Sequence, residues 1–270
     1  MNETNKDNVI LSPELQKQIK EMSASMRKWE TNIKSILEKS ITSEPKNIPK
    51  SIKEVYKPIK IDFNPDTLFK AAEKMGNYGW TIPFSLPVGY VSSIGKNIPT
   101  RENINSFFME FYSKEENSNF ERLIRDIMQR DVIKKWHPAL KQCIEAHRNG
   151  MFILSIGTLL PVLEGILSTF EEDKENIRMK KICTNMLESY KDGPFVDKLM
   201  WTSCKHFINA LYEKSKFSEA EPEIINRHWI LHGRTALNNL EVDSLRIFCA
   251  IETVSKLIVL FNKNKPISEN

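Results

Sequence analysis

Apolar side chains along this chain recur at steps of three and four, and no stretch keeps the strict alternation of a half-buried strand. The pattern predicts an all-α protein. Ser12-Pro13-Glu14 is a helix start: a capping hydroxyl, a proline tolerated in the first turn, then an acid near the positive helix end. Leu15, Ile19, Met22, Met26, Trp29, Ile33 and Ile36 then form a heptad seam, predicting one long helix over residues 12–40. That seam can pack within the chain or zip against a second chain.

Residues 41–66 carry Pro45, Pro49, Pro58 and Pro65 among lysines and read as an extended strap. A short helix is predicted over 66–75. Residues 76–100, with four glycines and three prolines, read as an irregular connection. Its apolar part, Trp80 to Pro87, is too hydrophobic for a free loop and is expected to pack down or to wall a binding site.

From residue 102 onward the helical spacing is sustained. Amphipathic segments are predicted over 103–112 and 120–134. Pro138 opens a helix carrying Ile144 and His147, a strongly apolar helix follows over 149–170, and another spans 195–214. Pro161 predicts a kink or restart in the apolar helix. A final helix over 242–262 turns Leu245, Phe248, Ile251, Val254 and Leu257 inward. The organisation expected is an N-terminal helix-and-strap region over 1–100, a helical bundle over 101–262 and a disordered tail over 263–270.

Composition changes this picture little. With 40% hydrophobic and 27% charged residues, wholesale disorder is not expected. A net charge of +4 permits nucleic-acid contact without demanding it. Cys143, Cys183, Cys204 and Cys249 are widely spaced, which argues for buried thiols and against a zinc knuckle or disulfide framework. The polar N-terminus carries no secretion signal. The charge-free run from Met151 to Leu163 is short for a bilayer span and contains Pro161. A cytoplasmic location without membrane attachment is expected.

Chemistry concentrates in Asn226-Arg227-His228-Trp229-Ile230-Leu231-His232-Gly233-Arg234, which holds two of the chain's 5 histidines. Histidine can accept and return a proton near neutral pH. Arginine keeps its charge, and its planar fork suits phosphate oxygens. Together they can cleave an RNA phosphodiester without metal. The imidazole serves the 2′-hydroxyl or the leaving oxygen, and the guanidinium stabilises the charge of the transition state. Arg227 and His232 would be offset by roughly 140° on a regular helix. They can converge if Arg227 lies at a loop–helix junction, which Pro222 favours, or across a dimer axis.

Arg227, four intervening residues and His232, with the polar His228 directly after the arginine, resemble the signature of the HEPN superfamily. The resemblance covers roughly residues 120–262. It implies a HEPN-like all-α bundle that acts as a homodimeric, metal-independent endoribonuclease of toxin, abortive-infection or antiviral type. His232 would be the general acid/base, Arg227 the phosphate binder and His228 a supporting residue, with Asn226 and Arg234 beside them. RNA would be the substrate, no cofactor or metal is implied, and an antitoxin or regulatory partner would fit such a system. Cleavage through the 2′-hydroxyl would leave a 2′,3′-cyclic phosphate and a 5′-hydroxyl.

Other readings compete. A non-catalytic helical scaffold would use the same bundle only to bind a partner. His228 and His232, four apart, could hold zinc, but no third ligand stands nearby in sequence. His232 alone could be a core histidine. Glu164, at the end of the apolar run, either anchors Arg227 or pairs with another cation at a helix surface. His137, His147 and His206 read as ordinary surface or boundary residues, and Trp136 and Trp201 as core. No phosphate-loop, Rossmann or Gly-x-Ser-x-Gly pattern is present.

Overall fold

The computed structural model describes residues 64–97, 100–173, 175–236, 238 and 240–264. They belong to the second of two compact units, Lys60–Asn270, the first being Met1–Ile59. The heptad helix, most of the strap and residues 265–270 of the predicted tail lie outside the described residues.

Among the described residues every regular element is helical. They are α1 (Pro65–Asn77), α2 (Val88–Asn97), α3 (Arg101–Met128), α4 (His137–Arg148), α5 (Phe152–Leu167), α6 (Met179–Ser189), α7 (Phe195–Leu211), α8 (Arg227–Leu231) and α9 (Leu240–Asn264), with 3-10 turns at Asp131–Trp136 and Ser168–Phe170. Local chemistry starts several of them. Asn64 Oδ1 accepts from Thr67 N at 3.2 Å and Pro65 occupies the first turn of α1. Thr100 and Asn103 form a reciprocal capping box at the start of α3.

Three features depart from the sequence reading. The connection over 76–100 contains a full helix, α2, whose Gly89 and Gly95 obscure its periodicity. Gly95 is needed there because a Cβ would stand 2.5 Å from the Thr67 carbonyl oxygen of α1. The two segments expected over 103–112 and 120–134 are joined in one element, α3, with positive φ at Glu116 (55°) and Asn117 (65°), and the end of the second falls in the 3-10 turn Asp131–Trp136. Helix α5 neither ends nor restarts at Pro161. Together with the following turn it is long and apolar enough to cross a membrane by length and composition. In this bundle it packs against α4 and α9.

Helix α9 is the axis of the core. Residues 243–255 are buried without interruption, and α9 packs on α3, α5 and α7. A helix buried on all sides must satisfy its polar groups internally. Glu252, fully buried, pairs with Arg130 and accepts from Phe84 N at 2.9 Å. Arg246, 2% exposed, donates to Asp243 Oδ1 at 2.6 Å, Asn105 Oδ1 at 2.8 Å and the Tyr78 carbonyl at 3.1 Å. Thr253 Oγ1 donates to Thr81 Oγ1 at 2.9 Å. These bonds lock the 78–84 connection onto α9. Trp80 is fully buried and stacks on Phe108 with centroids 4.1 Å apart. Thr81, Ile82 and Leu86 are buried as well, so the apolar stretch is a packed connection with Phe84 as its one strongly exposed aromatic. Helices α1 and α2, grouped by sequence with the N-terminal region, sit in this same unit, α1 lying along α7.

All four cysteines are free and buried, the Sγ atoms of Cys183 and Cys204 lying 4.0 Å apart. Trp201 is fully buried, while Trp136 is partly covered. His147, expected at the surface or boundary, has a more specific setting. It is partly buried among Phe120, Phe152 and Phe248, and its Nδ1 bonds Ser244 Oγ at 2.9 Å. Ser244 in turn donates to Ser155 at 3.0 Å. Burial, with Arg148 nearby, lowers the imidazole pKa to about 4.

Candidate functional site

The motif occupies α8, a helix of 5 residues, and the turn behind it. Asn226 caps it. Its Oδ1 accepts from His228 N at 3.0 Å and Trp229 N at 3.3 Å, and its Nδ2 donates to the Glu213 carbonyl at 2.8 Å. The buried Asn226 thus ties α8 to the end of α7 and places Arg227 in the first helical position. The helix ends in a Schellman turn. Gly233 N donates to the Ile230 carbonyl at 3.1 Å and Arg234 N to the Trp229 carbonyl at 2.9 Å, with Gly233 at φ +62°. His232 is the capping residue between the two, so the arginine and histidine stand at opposite ends of a very short helix.

Arg227 turns toward α5. Its Nε donates to Glu164 Oε1 at 2.8 Å, and Tyr212 OH donates to the same oxygen at 2.6 Å. Burial first, then the bond to Glu164, pushes the Tyr212 phenol well above its ordinary pKa, so it stays a donor. Among the described residues nothing bonds the terminal nitrogens of Arg227. The guanidinium is therefore held by its inner nitrogen, with its outer fork unengaged, and the side chain remains 36% exposed.

The histidines gather elsewhere, around Phe217. His228 stacks on that ring, with centroids 4.5 Å apart and planes 6° off parallel. His232 meets it edge-on at 5.7 Å, Trp229 at 5.4 Å, and the Arg234 guanidinium lies 5.3 Å over it. The two imidazoles are 4.6 Å apart. Trp229 is anchored by Nε1 donating to Ser215 Oγ at 2.6 Å. His228, His232 and Arg234 are all exposed. His232 is therefore not a core histidine.

The structure thus brings Glu164 and Arg227 together in one group and His228, His232 and Arg234 in another, with Asn226 serving as the cap of the helix that carries them. Among the described residues no hydrogen bond joins Arg227 to His232. The loop–helix junction expected for Arg227 is present, yet within one chain the two groups face different neighbours. Arg227 and His228 do share a hollow of about 440 Å³ with Tyr212, Lys214 and Ser215, and His232 is not among its lining residues. A wider hollow of about 650 Å³, bordered by Tyr78, Arg101 and Ile224, contains none of the predicted site residues. Among the described residues no group of three or more His, Cys, Asp or Glu side chains could hold a metal ion.

Sequence reading missed Tyr212 and Phe217. Phe217 had a signal, being the one aromatic in the polar stretch 215–222 just ahead of the motif. Tyr212 follows the last residue of α7 and had none, because its partner lies 48 positions away. No family profile, curated protein or solved structure matches this chain.

Proposed function

We propose that this protein is a metal-independent endoribonuclease of the HEPN type, acting as a toxin or defence effector, with Arg227 and His232 as its reacting pair. The observation that carries this reading is the Arg227–Glu164 bond at 2.8 Å. It fixes a cation by Nε and leaves a planar, bidentate donor face free in a hollow that His228 also lines. That arrangement suits a phosphodiester. His232 takes the proton from the 2′-hydroxyl as the 2′-oxygen attacks phosphorus. The imidazolium returns it to the 5′-oxygen as that bond breaks. The products are a 2′,3′-cyclic phosphate and a 5′-hydroxyl, and no net proton is consumed. Arg227 stabilises the charge gathered on the equatorial oxygens.

One chain does not aim both groups at one atom, so the reading requires two copies. The outward side of α5 suits such an interface. Ile153 and Leu154 are 42% and 60% exposed, Gly157, Thr158 and Pro161 follow on the exposed surface, and Glu164 stands at its far end. Leu231, adjacent to His232, is 45% exposed. An exposed apolar helix surface running to the Arg227 anchor favours a homodimer that pairs one chain's arginine with the other's histidine.

The alternative is a non-catalytic helical scaffold, favoured by the absence of any Arg227–His232 bond within the chain. Incubation of wild-type protein and His232→Ala with transfer RNA and structured RNA in EDTA separates the two. The ribonuclease reading expects cyclic-phosphate products from wild type and none from the variant. No cleavage by a dimeric wild-type protein supports the scaffold, and equal cleavage by both proteins removes His232 from the reaction.

A further inference from the structure

We infer that the hollow between Arg227 and His228 is a nucleotide subsite, taking one base with its adjacent phosphate, and that the His228 ring acts there as a stacking platform and not as a proton carrier. This rests on the ribonuclease reading for the source of the nucleotide, but not for the chemistry of the site.

The hollow measures about 440 Å³ and is lined by Tyr212, Glu213, Lys214, Ser215, Arg227 and His228. That is room for a nucleobase and part of its sugar-phosphate, within the range of small-ligand sites. Its walls differ in kind. Two of the lining residues are cations. Arg227 has its terminal nitrogens unengaged among the described residues, and Lys214 is exposed and pairs with no carboxylate among them. The hollow is also lined by the Glu213 carboxylate and by a planar ring, His228, backed by Phe217 at 4.5 Å in a near-parallel stack.

Phe217 covers one face of that imidazole. The separations of 4.5 Å (Phe217 to His228), 4.6 Å (His228 to His232) and 5.7 Å (Phe217 to His232) make a near right angle at His228. His232 therefore lies beside the stack and does not cap its outer face. An exposed imidazole with one face braced and the other uncovered is a ring on which a base can add as the next layer. The bracing matters because it removes rotamer freedom before binding. Cationic and π groups lining one hollow match a phosphate and its base. Ser215, which accepts from Trp229, keeps its hydroxyl proton for a polar edge.

The probe is a short fluorescein-labelled 2′-O-methyl RNA, uncleavable because its 2′-oxygen cannot attack, titrated into full-length protein in EDTA and read by anisotropy. His228→Ala is expected to weaken binding about ten-fold, the scale of one lost base stack. His228→Phe, which keeps a flat ring and cannot carry a proton, is expected to bind within about two-fold of wild type, given that stacking is tolerant of ring identity. Replacing the bases of the probe with abasic sites should erase the difference between wild type and His228→Ala. Competition by adenosine or cytidine monophosphate reports whether free nucleotides fill the site or only a strand does. Equal binding by wild type and His228→Ala, loss of binding in His228→Phe, or no binding of any probe overturns the subsite. Cleavage that depends on His232 while His228→Ala binds normally would keep the ribonuclease and remove the subsite. Ring-dependent binding without cleavage would do the reverse.

Discussion

Arg227 and Glu164 are 63 positions apart in sequence, and Nε of one donates to Oε1 of the other at 2.8 Å. Tyr212 donates to that same oxygen at 2.6 Å, so one carboxylate oxygen carries both bonds. Glu164 thus holds rather than reacts. Its removal frees the guanidinium to rotate and leaves the Tyr212 hydroxyl without its acceptor. Glu164→Ala should cost about 1–2 kcal/mol in urea unfolding, the scale of two partly exposed polar bonds. On the proposed ribonuclease reading, it should also lower the cleavage rate about ten-fold or more through loss of orientation. Tyr212→Phe should keep most of the rate, because Arg227 retains its anchor. A larger rate loss in Tyr212→Phe than in Glu164→Ala would contradict this division of roles.

Gly233 holds φ +62° in the turn that presents His232. Nothing lies within 4 Å of a Cβ built there, so the cost of Gly233→Ala is conformational alone, about 1 kcal/mol. If His232 reacts as proposed, cleavage should fall further than this stability loss accounts for, since the turn sets where His232 stands. Thermal unfolding and cleavage rates measured on one preparation decide it.

Glu252 and Arg130 form an ion pair in which the carboxylate is fully buried. Truncating one partner strands the other. Arg130→Ala and Glu252→Ala should each destabilise by about 3–5 kcal/mol, whereas the double change Arg130→Met with Glu252→Leu should recover much of that loss. Chemical denaturation of the three variants tests the pair, and a double variant as unstable as the singles would show that the Phe84 N–H bond dominates.

His147 supplies a pH dependence. Its folded-state pKa is lowered to about 4 from 6.5 by burial, so the folded protein binds this proton more weakly than the unfolded chain. The stabilisation is full above pH 6.5, declines as pH falls below it and is exhausted below about pH 4, a loss of about 3 kcal/mol. His147→Gln keeps a hydrogen-bonding side chain toward Ser244 and cannot titrate. Its unfolding free energy should fall less steeply between pH 6.5 and 4 than that of wild type. Parallel curves would place the acid sensitivity elsewhere.

The helical character was legible because the apolar spacing of α5, α7 and α9 is strong enough to survive any tertiary arrangement. Helix α2 was not legible, because Gly89 and Gly95 remove the side chains that would show its period, and Gly95 is there to let α2 approach α1. Pro161 read as a kink or restart because sequence counts the lost amide; the helix does not restart but continues through it. The role of His147, read as a surface or boundary residue, was not legible because local composition cannot show that Ser244 waits across the core. The motif itself was found from residue types alone. Its division into an arginine group on Glu164 and a histidine group on Phe217 depends on which way a five-residue helix faces, and spacing does not encode that.

The bonds that seat α9 reach back very far along the chain. Phe84 to Glu252 and Tyr78 to Arg246 each span 168 positions, and Thr81 to Thr253 spans 172. A ribosome makes the chain from its amino end, so the 78–84 connection emerges long before its partners and must wait for them. Contacts this distant slow folding, because loop closure must precede any gain from them. Helix α8 lies between these partners in the chain, and α5, its support, packs on α9. A nascent polypeptide still on the ribosome therefore has Arg227 and His232 in sequence but not in place. Synthesis and the placing of these two side chains are separated in time, and a partner binding co-translationally would meet them before the fold positions them.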